Sequence, residues 1–448
     1  MTRWWLLALF AAVAVGFWLG RDGPAEVRDV LHDDSPHEAY ERSLREAGLQ
    51  EAALGRLWSR AATASLREGP AVRTPFRESG YLDSSRPEAV AYRFRARAGE
   101  RLTVRLELDP PTNAVYFLDL FRVEEDSAAV PERIISADTT SRALVHEPRR
   151  DGEFIVRIQP ELLRGGRYTL TVTTGPTMSF PVEGAGAADV GSVFGDEREG
   201  GARDHHGIDI FAERGTPVLA ATEGRVSRVR TTTRGGRVVW LRDERRGQSL
   251  YYAHLEEQLV EDGIWVRPGD TLGLVGNSGN AVTTPPHLHF GIYRRGRGPV
   301  DPLPFVRPHD HDLPIPAVPS GGFNAWRRVS APDAALRSAP DAASPVLERL
   351  ARHVPVRVQA AAGDWHRVEL PDGRRGFLAA PATEPLEPLR SAALETAAPL
   401  RDRPDRAGAE IVRLAAGEQV AVLGRFGAHL LVSAGGREAW IPEQGAGP

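Results

Sequence analysis

Short segments in which apolar and polar residues alternate one by one recur between residues 88 and 182 of this chain. An alternation of period two places every second side chain on the same side of an extended backbone, so these segments predict strands buried on one face. Glycines at turn positions separate the later segments. We therefore expect a small β-sandwich of antiparallel strands over residues 88–182. The apolar members of the pattern are Leu102, Val104, Leu106, Leu108, Phe154, Val156 and Ile158.

The last third of the chain contains an internal repeat at an offset of 64 residues. After a turn the offset falls to 63, so that Phe377-Leu378 aligns with Trp440-Ile441. Short apolar segments that recur at a fixed spacing predict two copies of one small β unit, at 326–384 and 390–444. The units resemble bacterial SH3-like modules, which implies two SH3-like β-barrels. The residues of the first copy that recur in the second are Leu336, Pro340, Asp341, Leu350, Val356, Val358 and Val368.

The N-terminus carries an apolar run over residues 4–20, preceded by an arginine. This length lies between a secretory signal peptide and the roughly 20 residues that span a bilayer. Ala14-Val15-Gly16 offers a cleavage site, whereas Trp18 and Leu19 beyond it favour an uncleaved membrane anchor. The run predicts export to the cell envelope, on the periplasmic or extracellular side, with the protein anchored or secreted.

A helix is predicted to begin at Ser35-Pro36-His37-Glu38. The Ser35 hydroxyl is suited to cap the helix, Pro36 to its first turn, and Glu38 to completing a capping box. Apolar residues then follow a helical spacing to about residue 68, with an interruption at Gly48. We expect a helical hairpin over 35–68.

Composition excludes several classes of chemistry. The chain has no cysteine, so it forms no disulfide, thiolate zinc site or cysteine nucleophile. It also has no lysine, which removes Schiff-base chemistry. The formal net charge of −4 gives no basic excess of the kind that indicates a nucleic-acid partner.

Candidate metal ligands occur in the segment 187–306. His287 and His289 flank Leu288 in an alternating stretch, so on a strand both imidazoles project from one face. His205 and Asp209 lie four positions apart and share a face if extended, with His206 as the neighbouring alternative to His205. Two imidazoles and one carboxylate suit zinc and leave a fourth position for water, as in catalytic zinc sites.

Other histidines are placed differently. Tyr252 and His254 are expected on one face of a further strand, where a histidine near a metal relays protons or stabilises an oxyanion. His309 and His311 lie between aspartates in the segment 307–325, whose many prolines predict a semi-rigid linker. We interpret those two histidines as solvated.

Eight motifs in the segment 187–306 together resemble the lysostaphin/LytM-type metalloendopeptidases of peptidoglycan, in order and in spacing. The resemblance implies a Zn²⁺ ion bound by His205, Asp209 and His289, with His254 and His287 as the catalytic histidines, in a compact antiparallel β domain. It implies hydrolysis of the peptide cross-links of peptidoglycan. The motifs are Phe194-Gly195, His205-His206-Gly207-Ile208-Asp209, Gly215-Thr216-Pro217-Val218, Gly224-Arg225-Val226, Tyr252-Ala253-His254-Leu255, Pro268-Gly269-Asp270, Gly276-Asn277-Ser278-Gly279 and His287-Leu288-His289-Phe290.

Two alternatives use the same motifs. The turns at Gly215 and Gly224 also resemble biotinyl or lipoyl carriers, but those attach their cofactor to lysine, which this chain lacks. A catalytically inactive scaffold or activator of another wall hydrolase stays open, although all five expected site residues are present. Gly291 departs from the family, which often has an acidic residue there, and Pro285-Pro286 stiffens the loop before His287.

The predicted fold class is mainly β and multidomain. It comprises an N-terminal membrane segment and helical hairpin, a β-sandwich, an antiparallel β peptidase domain over 187–306 and two SH3-like β-barrels. The sandwich has three possible roles: binding glycan, covering the catalytic cleft, or acting as a spacer. SH3-like modules of envelope hydrolases commonly bind wall peptides or glycans, so peptidoglycan is the expected partner, together with the membrane if the N-terminal segment is uncleaved.

Overall fold

The structure is a computed structural model that describes residues 34–110, 113–124, 130–308, 312–405 and 407–445. The apolar run 4–20 and the histidines at 309 and 311 lie outside these residues. Among the helices within the described ranges, none has the length and apolar character needed to cross a membrane.

Two helices begin the described chain, α1 (Pro36–Glu46) and α2 (Ala53–Glu68). The capping box is confirmed: the backbone N–H of Glu38 donates to the Ser35 hydroxyl, and the Ser35 N–H donates to the Glu38 carboxylate. Trp58 is the buried anchor of α2, and its indole N–H donates to the carbonyl of Pro160 (2.9 Å). Stacking of Trp58 on His37 and edge contact with Phe117 hold the pair of helices against the following sheet.

Eight strands follow and form two facing sheets, in the orders β2-β7-β4-β5 and β1-β8-β3-β6. Their inward side chains make one apolar core that includes Tyr92, Val104 and Phe154. All neighbours pair antiparallel. The strands are β1 (Phe76–Leu82), β2 (Val90–Ala96), β3 (Glu100–Asp109), β4 (Tyr116–Val123), β5 (Glu132–Ser136), β6 (Ala143–His146), β7 (Gly152–Pro160) and β8 (Gly166–Pro176).

A second group of strands surrounds the apolar core that contains Ile208, Tyr252 and Phe290. Its main sheet has the order β18-β14-β15-β16-β20-β12-β9, with β21 on β20, and its smaller sheets are β13-β19-β17 and β10-β11. The elements are β9 (Val190–Ser192), β10 (Glu197–Arg198), β11 (Arg203–Asp204), β12 (Ile208–Phe211), β13 (Pro217–Leu219), β14 (Gly224–Thr232), β15 (Gly236–Asp243), β16 (Gln248–Leu255), β17 (Glu257–Gln258), β18 (Trp265–Val266), β19 (Thr271–Leu274), β20 (His287–Arg294), β21 (Gly298–Val300) and the short helix α3 (Leu303–Val306).

The C-terminal strands form two successive groups whose members recur at the offset seen in the sequence. For example, β25 and β32 start and end 64 residues apart. The first group is β22 (Trp326–Val329), β23 (Ala334–Arg337), β24 (Val346–Leu350), β25 (Pro355–Ala362), β26 (Trp365–Glu369), β27 (Arg375–Ala379) and β28 (Thr383–Pro385). The second is β29 (Arg390–Ala393), β30 (Ala398–Arg401), β31 (Glu410–Leu414), β32 (Gln419–Phe426), β33 (His429–Ala434) and β34 (Arg437–Pro442). Short 3₁₀ turns occur at Ala187–Asp189, Glu199–Gly201, Gly279–Ala281, Ala380–Ala382 and Glu443–Gly445.

Strand β1 joins the first sandwich to the first C-terminal group. It pairs with β8 on one side and with β25 on the other, so one sheet continues through both. The expected sandwich boundary at residue 88 omitted this strand. Its inward face carries Glu78 and Gly80 beside Phe76 and Leu82, and a carboxylate and a glycine interrupt the apolar alternation on which the sequence prediction rests.

Glu78 lies at the centre of this junction and has no exposed surface. Its carboxylate accepts hydrogen bonds from the hydroxyls of Tyr92 and Tyr168, the latter at 2.5 Å. Arg367 of β26 donates from Nε to the same carboxylate at 3.3 Å and from Nη2 to the Tyr168 hydroxyl at 3.0 Å. Burial and the neighbouring carboxylate raise the pKa of both tyrosines well above the usual range. The junction is therefore a buried, paired ionic network between two apolar cores.

Candidate metal centre

The candidate ligands on β12 and β20 are brought together by strand pairing. The two strands run antiparallel in a register that sets Asp209 opposite His289 and Ile210 opposite Leu288. Ile210 and Leu288 point into the core and are fully buried. By alternation, Asp209 and His289 project together from the opposite face of the sheet.

Three side chains meet at one point: His205, Asp209 and His289. The Asp209 Oδ1 atom lies 3.1 Å from His205 Nε2 and 2.9 Å from His289 Nδ1, and the two nitrogens are 3.0 Å apart. Donor atoms that share a tetrahedral zinc ion at bonds of 2.0 to 2.2 Å lie about 3.3 Å from one another. The spacing and the two-imidazole, one-carboxylate chemistry of this cluster therefore fit a divalent metal of the zinc type.

The surroundings of His205 and His206 show which of these two adjacent histidines belongs to the cluster. Nδ1 of His205 donates to the carbonyl of Val193 (2.8 Å), which leaves the Nε2 lone pair facing the cluster. His206 is exposed and its ring stacks near Phe194, outside the cluster. The next residue, Gly207, is a glycine for a steric reason. A Cβ at this position would lie 2.8 Å from the His289 ring and 2.5 Å from the carbonyl oxygen of Phe290.

His254 and His287 flank the cluster. Their ring centroids are 5.1 Å apart, that of His254 is 6.0 Å from that of His289, and His287 Nε2 is 4.0 Å from Asp209 Oδ1. Nδ1 of His254 donates to the carbonyl of Ser278 and Nδ1 of His287 to that of Pro285, each at 2.9 Å. In the neutral rings this fixes the proton on Nδ1 and leaves Nε2 as an acceptor.

One expectation about β16 is wrong. Tyr252 and His254 do not share a face, because Tyr252 points into the core, where its hydroxyl accepts the backbone N–H of Ala221 (3.0 Å). His254 has a backbone φ of 63°, and this left-handed residue interrupts the alternation before Leu255 returns to the core. The irregular backbone turns the imidazole toward the ligand cluster instead.

The electrostatics favour the forms that bind a metal. Burial lowers the pKa of His289, and it lowers the pKa of His254 to about 4, with the neighbouring imidazoles acting in the same direction. Burial alone would raise the pKa of Asp209, but the close polar contacts of its carboxylate with the rings of His205 and His289 hold that pKa well below its usual range. At neutral pH the rings of His254 and His289 are neutral and the carboxylate is ionised, as metal coordination requires.

Residues 203–302 match the model of Peptidase family M23. This range includes the five candidate site residues His205, Asp209, His254, His287 and His289. The chain carries a peptidase family M23 domain. Residues 330–384, in the first C-terminal group of strands, match the model of the bacterial SH3 domain.

Several known peptidases are similar to this chain over 103 to 146 residues. An uncharacterised metalloprotease of Haemophilus influenzae is 36% identical over 146 residues, 32% of this chain and 28% of its own length. The L-Ala–D-Glu endopeptidase of Bacillus subtilis is 38% identical over 127 residues, covering 26% and 39%. The peptidoglycan DD-endopeptidase ShyC of Vibrio cholerae is 34% identical over 103 residues, covering 22% and 23%. The chain thus spans well under half the length of each relative.

The candidate site contains one residue that the sequence analysis did not identify. Arg198, at the end of β10, donates from Nη2 to Asp209 Oδ2 and to the Ser192 hydroxyl, each at 2.6 Å. The first bond engages the carboxylate oxygen that faces away from the histidines. The spacing of residues in the sequence does not predict the contact between Arg198 and Asp209. The contact depends on how the β10–β11 hairpin folds back over β9 and β12.

Proposed function

We propose that this protein is a zinc-dependent endopeptidase that hydrolyses peptide cross-links of peptidoglycan at the cell envelope. The observation that carries the proposal is the convergence of His205, Asp209 and His289 on one point, with His254 and His287 beside it. Two imidazoles and one carboxylate leave room for water in a four-coordinate zinc site. The activities for which the relatives are named supply the substrate class.

The metal would be held by His205, Asp209 and His289. When bound, zinc lowers the pKa of a coordinated water and polarises a carbonyl, which is the chemistry that amide hydrolysis needs. The neutral forms of His254 and His287 donate from Nδ1 to a backbone carbonyl and keep Nε2 as an acceptor. Either ring in this form is able to accept the proton of the attacking water. A ring that has taken up that proton is then a donor for the oxyanion or for the leaving amine.

The remaining parts of the chain complete the proposal. Residues 390–444 form a second SH3-like module after the one at 330–384, and both bind peptidoglycan. The apolar run 4–20 directs the protein to the envelope, as a membrane anchor or a cleaved signal. The relatives named above cut different bonds, an L-Ala–D-Glu bond and a DD bond, so the proposal extends to the class of cross-link peptides and not to one bond.

Digestion of purified sacculi by the full-length chain tests the proposal. We expect soluble fragments with new amino termini in mass spectra, loss of release after chelation, and recovery on adding Zn²⁺. His206→Ala is the matched control, since that ring is exposed and outside the cluster, and its release should equal that of the wild type. A zinc-loaded wild type that releases nothing, yet stimulates an added wall hydrolase, would favour the inactive scaffold or activator instead.

A further inference from the structure

Three turns that each carry two consecutive arginines meet around a cavity of about 740 Å³ between the sandwich and the M23 domain. The turns are distant in sequence: one follows β6, one connects β15 to β16, and one ends β20. They share a simple signature, an Arg-Arg pair followed by glycine within two residues. We name this cavity the arginine cleft, after Arg149 and Arg150, Arg245 and Arg246, and Arg294 and Arg295.

The charge on the walls of the arginine cleft is strongly unbalanced. Arg122 and Arg297 also line it, so eight arginines face a single acidic side chain, Glu147. That carboxylate is already engaged by Arg246 at 3.0 Å and by Arg245 at 3.3 Å. Within the described residues, the side chains of Arg150 and Arg295 form no hydrogen bond or ion pair. Arg246 is also paired with Asp243 at 3.0 Å, and the charge of Asp151 acts to raise the pKa of Arg294. The eight arginines of the cleft still outnumber these three carboxylates.

The crowding of cations has an energetic cost. Burial lowers the pKa of Arg294, and repulsion from Arg297 and Arg149 lowers it further. Arg294 is nevertheless held in place, because its guanidinium lies over the Phe305 ring at 5.1 Å and donates to the carbonyl of Arg149 at 2.7 Å. A fixed guanidinium among like charges is an arrangement that an anion would stabilise.

The arginine cleft is separate from the proposed metal centre. Strand β20 carries His289 near its start and Arg294 at its end, and five residues of extended strand span about 17 Å. The sheet thus has the ligand cluster at one end and the arginines at the other. A ligand in the cleft would not enter the zinc site, and the inference goes beyond the proposed peptidase activity.

We propose that the arginine cleft binds a compact anion that carries two or more phosphate groups. The guanidinium fork matches phosphate oxygens in bidentate fashion. A phosphate group brings about −1.5 to −2 charge at pH 7, against −1 for a carboxylate, so phosphates neutralise clustered arginines within a smaller volume. The cleft lies in the size range of small-molecule sites.

Calorimetric titration of the full-length chain with inorganic tripolyphosphate tests this proposal. The test variant is Arg150→Ser with Arg295→Ser, which removes two exposed side chains without an internal partner. The matched control is Arg228→Ser with Arg437→Ser, two exposed arginines on other surfaces, which gives the same change in net charge. Loss of two charge-assisted contacts should raise the Kd by about tenfold or more, whereas the control should stay within about twofold.

Four results would overturn the proposal. Three come from the titrations described above: no binding to the wild type at physiological salt, equal weakening by the control variant, or equally tight binding of citrate. The fourth concerns the metal centre. Because tripolyphosphate chelates zinc, the titration is repeated on the His289→Ala chain. Unchanged affinity there supports the cleft and is independent of the peptidase proposal, while lost affinity assigns the binding to the metal centre and overturns the proposal. Vesicles containing cardiolipin, whose headgroup carries two phosphate groups, identify the source: co-sedimentation that tripolyphosphate reverses indicates a lipid headgroup, and its absence indicates a free phosphate compound.

Discussion

At the scale of single residues, His254 is distinguished from the metal-ligand set by its position. Its ring lies beside His287 and His289 but outside the three-residue cluster, and its Nδ1 is committed to the carbonyl of Ser278. We expect His254→Ala to keep the metal and to lose hydrolysis by about 10² to 10⁴-fold, the usual contribution of a general acid or base. Metal content and fragment release are measured on the same preparation. Wild-type activity of this variant would remove His254 from the reaction.

Arg198 contacts the candidate metal centre through Asp209. Its bond to Asp209 Oδ2 fixes the orientation of a carboxylate whose other oxygen faces the two histidines. Partners of metal ligands of this kind typically contribute about 10 to 100-fold in metal affinity. We expect Arg198→Ala to weaken zinc binding by that factor in competition with a chromogenic chelator. The exposed Arg228→Ala serves as the control, and equal affinity of the two variants would contradict the positioning role.

At the scale of elements, the β12–β20 pair depends on close approach at Gly207. A methyl group at this position meets both the His289 ring and the carbonyl of Phe290 below 3.0 Å. We expect Gly207→Ala to lower the free energy of unfolding by about 1 to 3 kcal/mol and to weaken zinc binding, because strand and ligand must shift together.

Gly186→Ala is the matched control for that variant, since an added Cβ there meets nothing within 4 Å and the backbone φ is −147°. Chemical denaturation with and without zinc separates the two effects. A Gly207→Ala chain as stable as the Gly186→Ala chain would show that the strand pair tolerates the methyl group.

The elements also show where sequence reasoning succeeded and failed. The face of the sheet on which Asp209 and His289 lie was predictable, because side chains in regular strands alternate between the two faces. The register of β12 and β20 then sets the two residues opposite each other. The sequence prediction placed the His254 side chain on the wrong face. The positive φ of His254, set by contacts with the loop around Ser278, cannot be recognised from the alternation of apolar and polar residues. Arg198 and the arginine cleft depend on turns that converge from distant segments, which no local pattern encodes.

At the scale of the whole molecule, the sandwich and the first SH3 domain are one structural unit, since β1 hydrogen-bonds to both. The buried Glu78 and Arg367 compensate one another across that junction. Removing one charge of such a pair leaves the other buried without a partner, at a cost of about 3 to 5 kcal/mol. We expect Glu78→Gln to lower the free energy of unfolding by this amount, measured by denaturation of the full-length chain.

Glu107→Gln provides the control, because Glu107 is exposed on the outer face of β3 in the same sheet. Its free energy of unfolding should match that of the wild type within about 0.5 kcal/mol. Equal stability of the two variants would mean that the ionic network does not stabilise the junction. The sequence prediction of a separate sandwich and barrel missed this junction. Glu78 occupies an inward-facing position of β1, and a polar residue there breaks the apolar alternation from which strands were predicted.

The proposed activity requires a single metal held by three side chains from two segments of the M23 domain. The most direct measurement is the zinc content per chain, by mass spectrometry of the purified full-length protein, for the wild type and for His205→Ala, His206→Ala and His289→Ala. We expect one zinc per chain in the wild type and in His206→Ala, and loss of zinc in the other two with the fold retained. Full zinc occupancy of His289→Ala or His205→Ala, or a wild type that binds none, would contradict it.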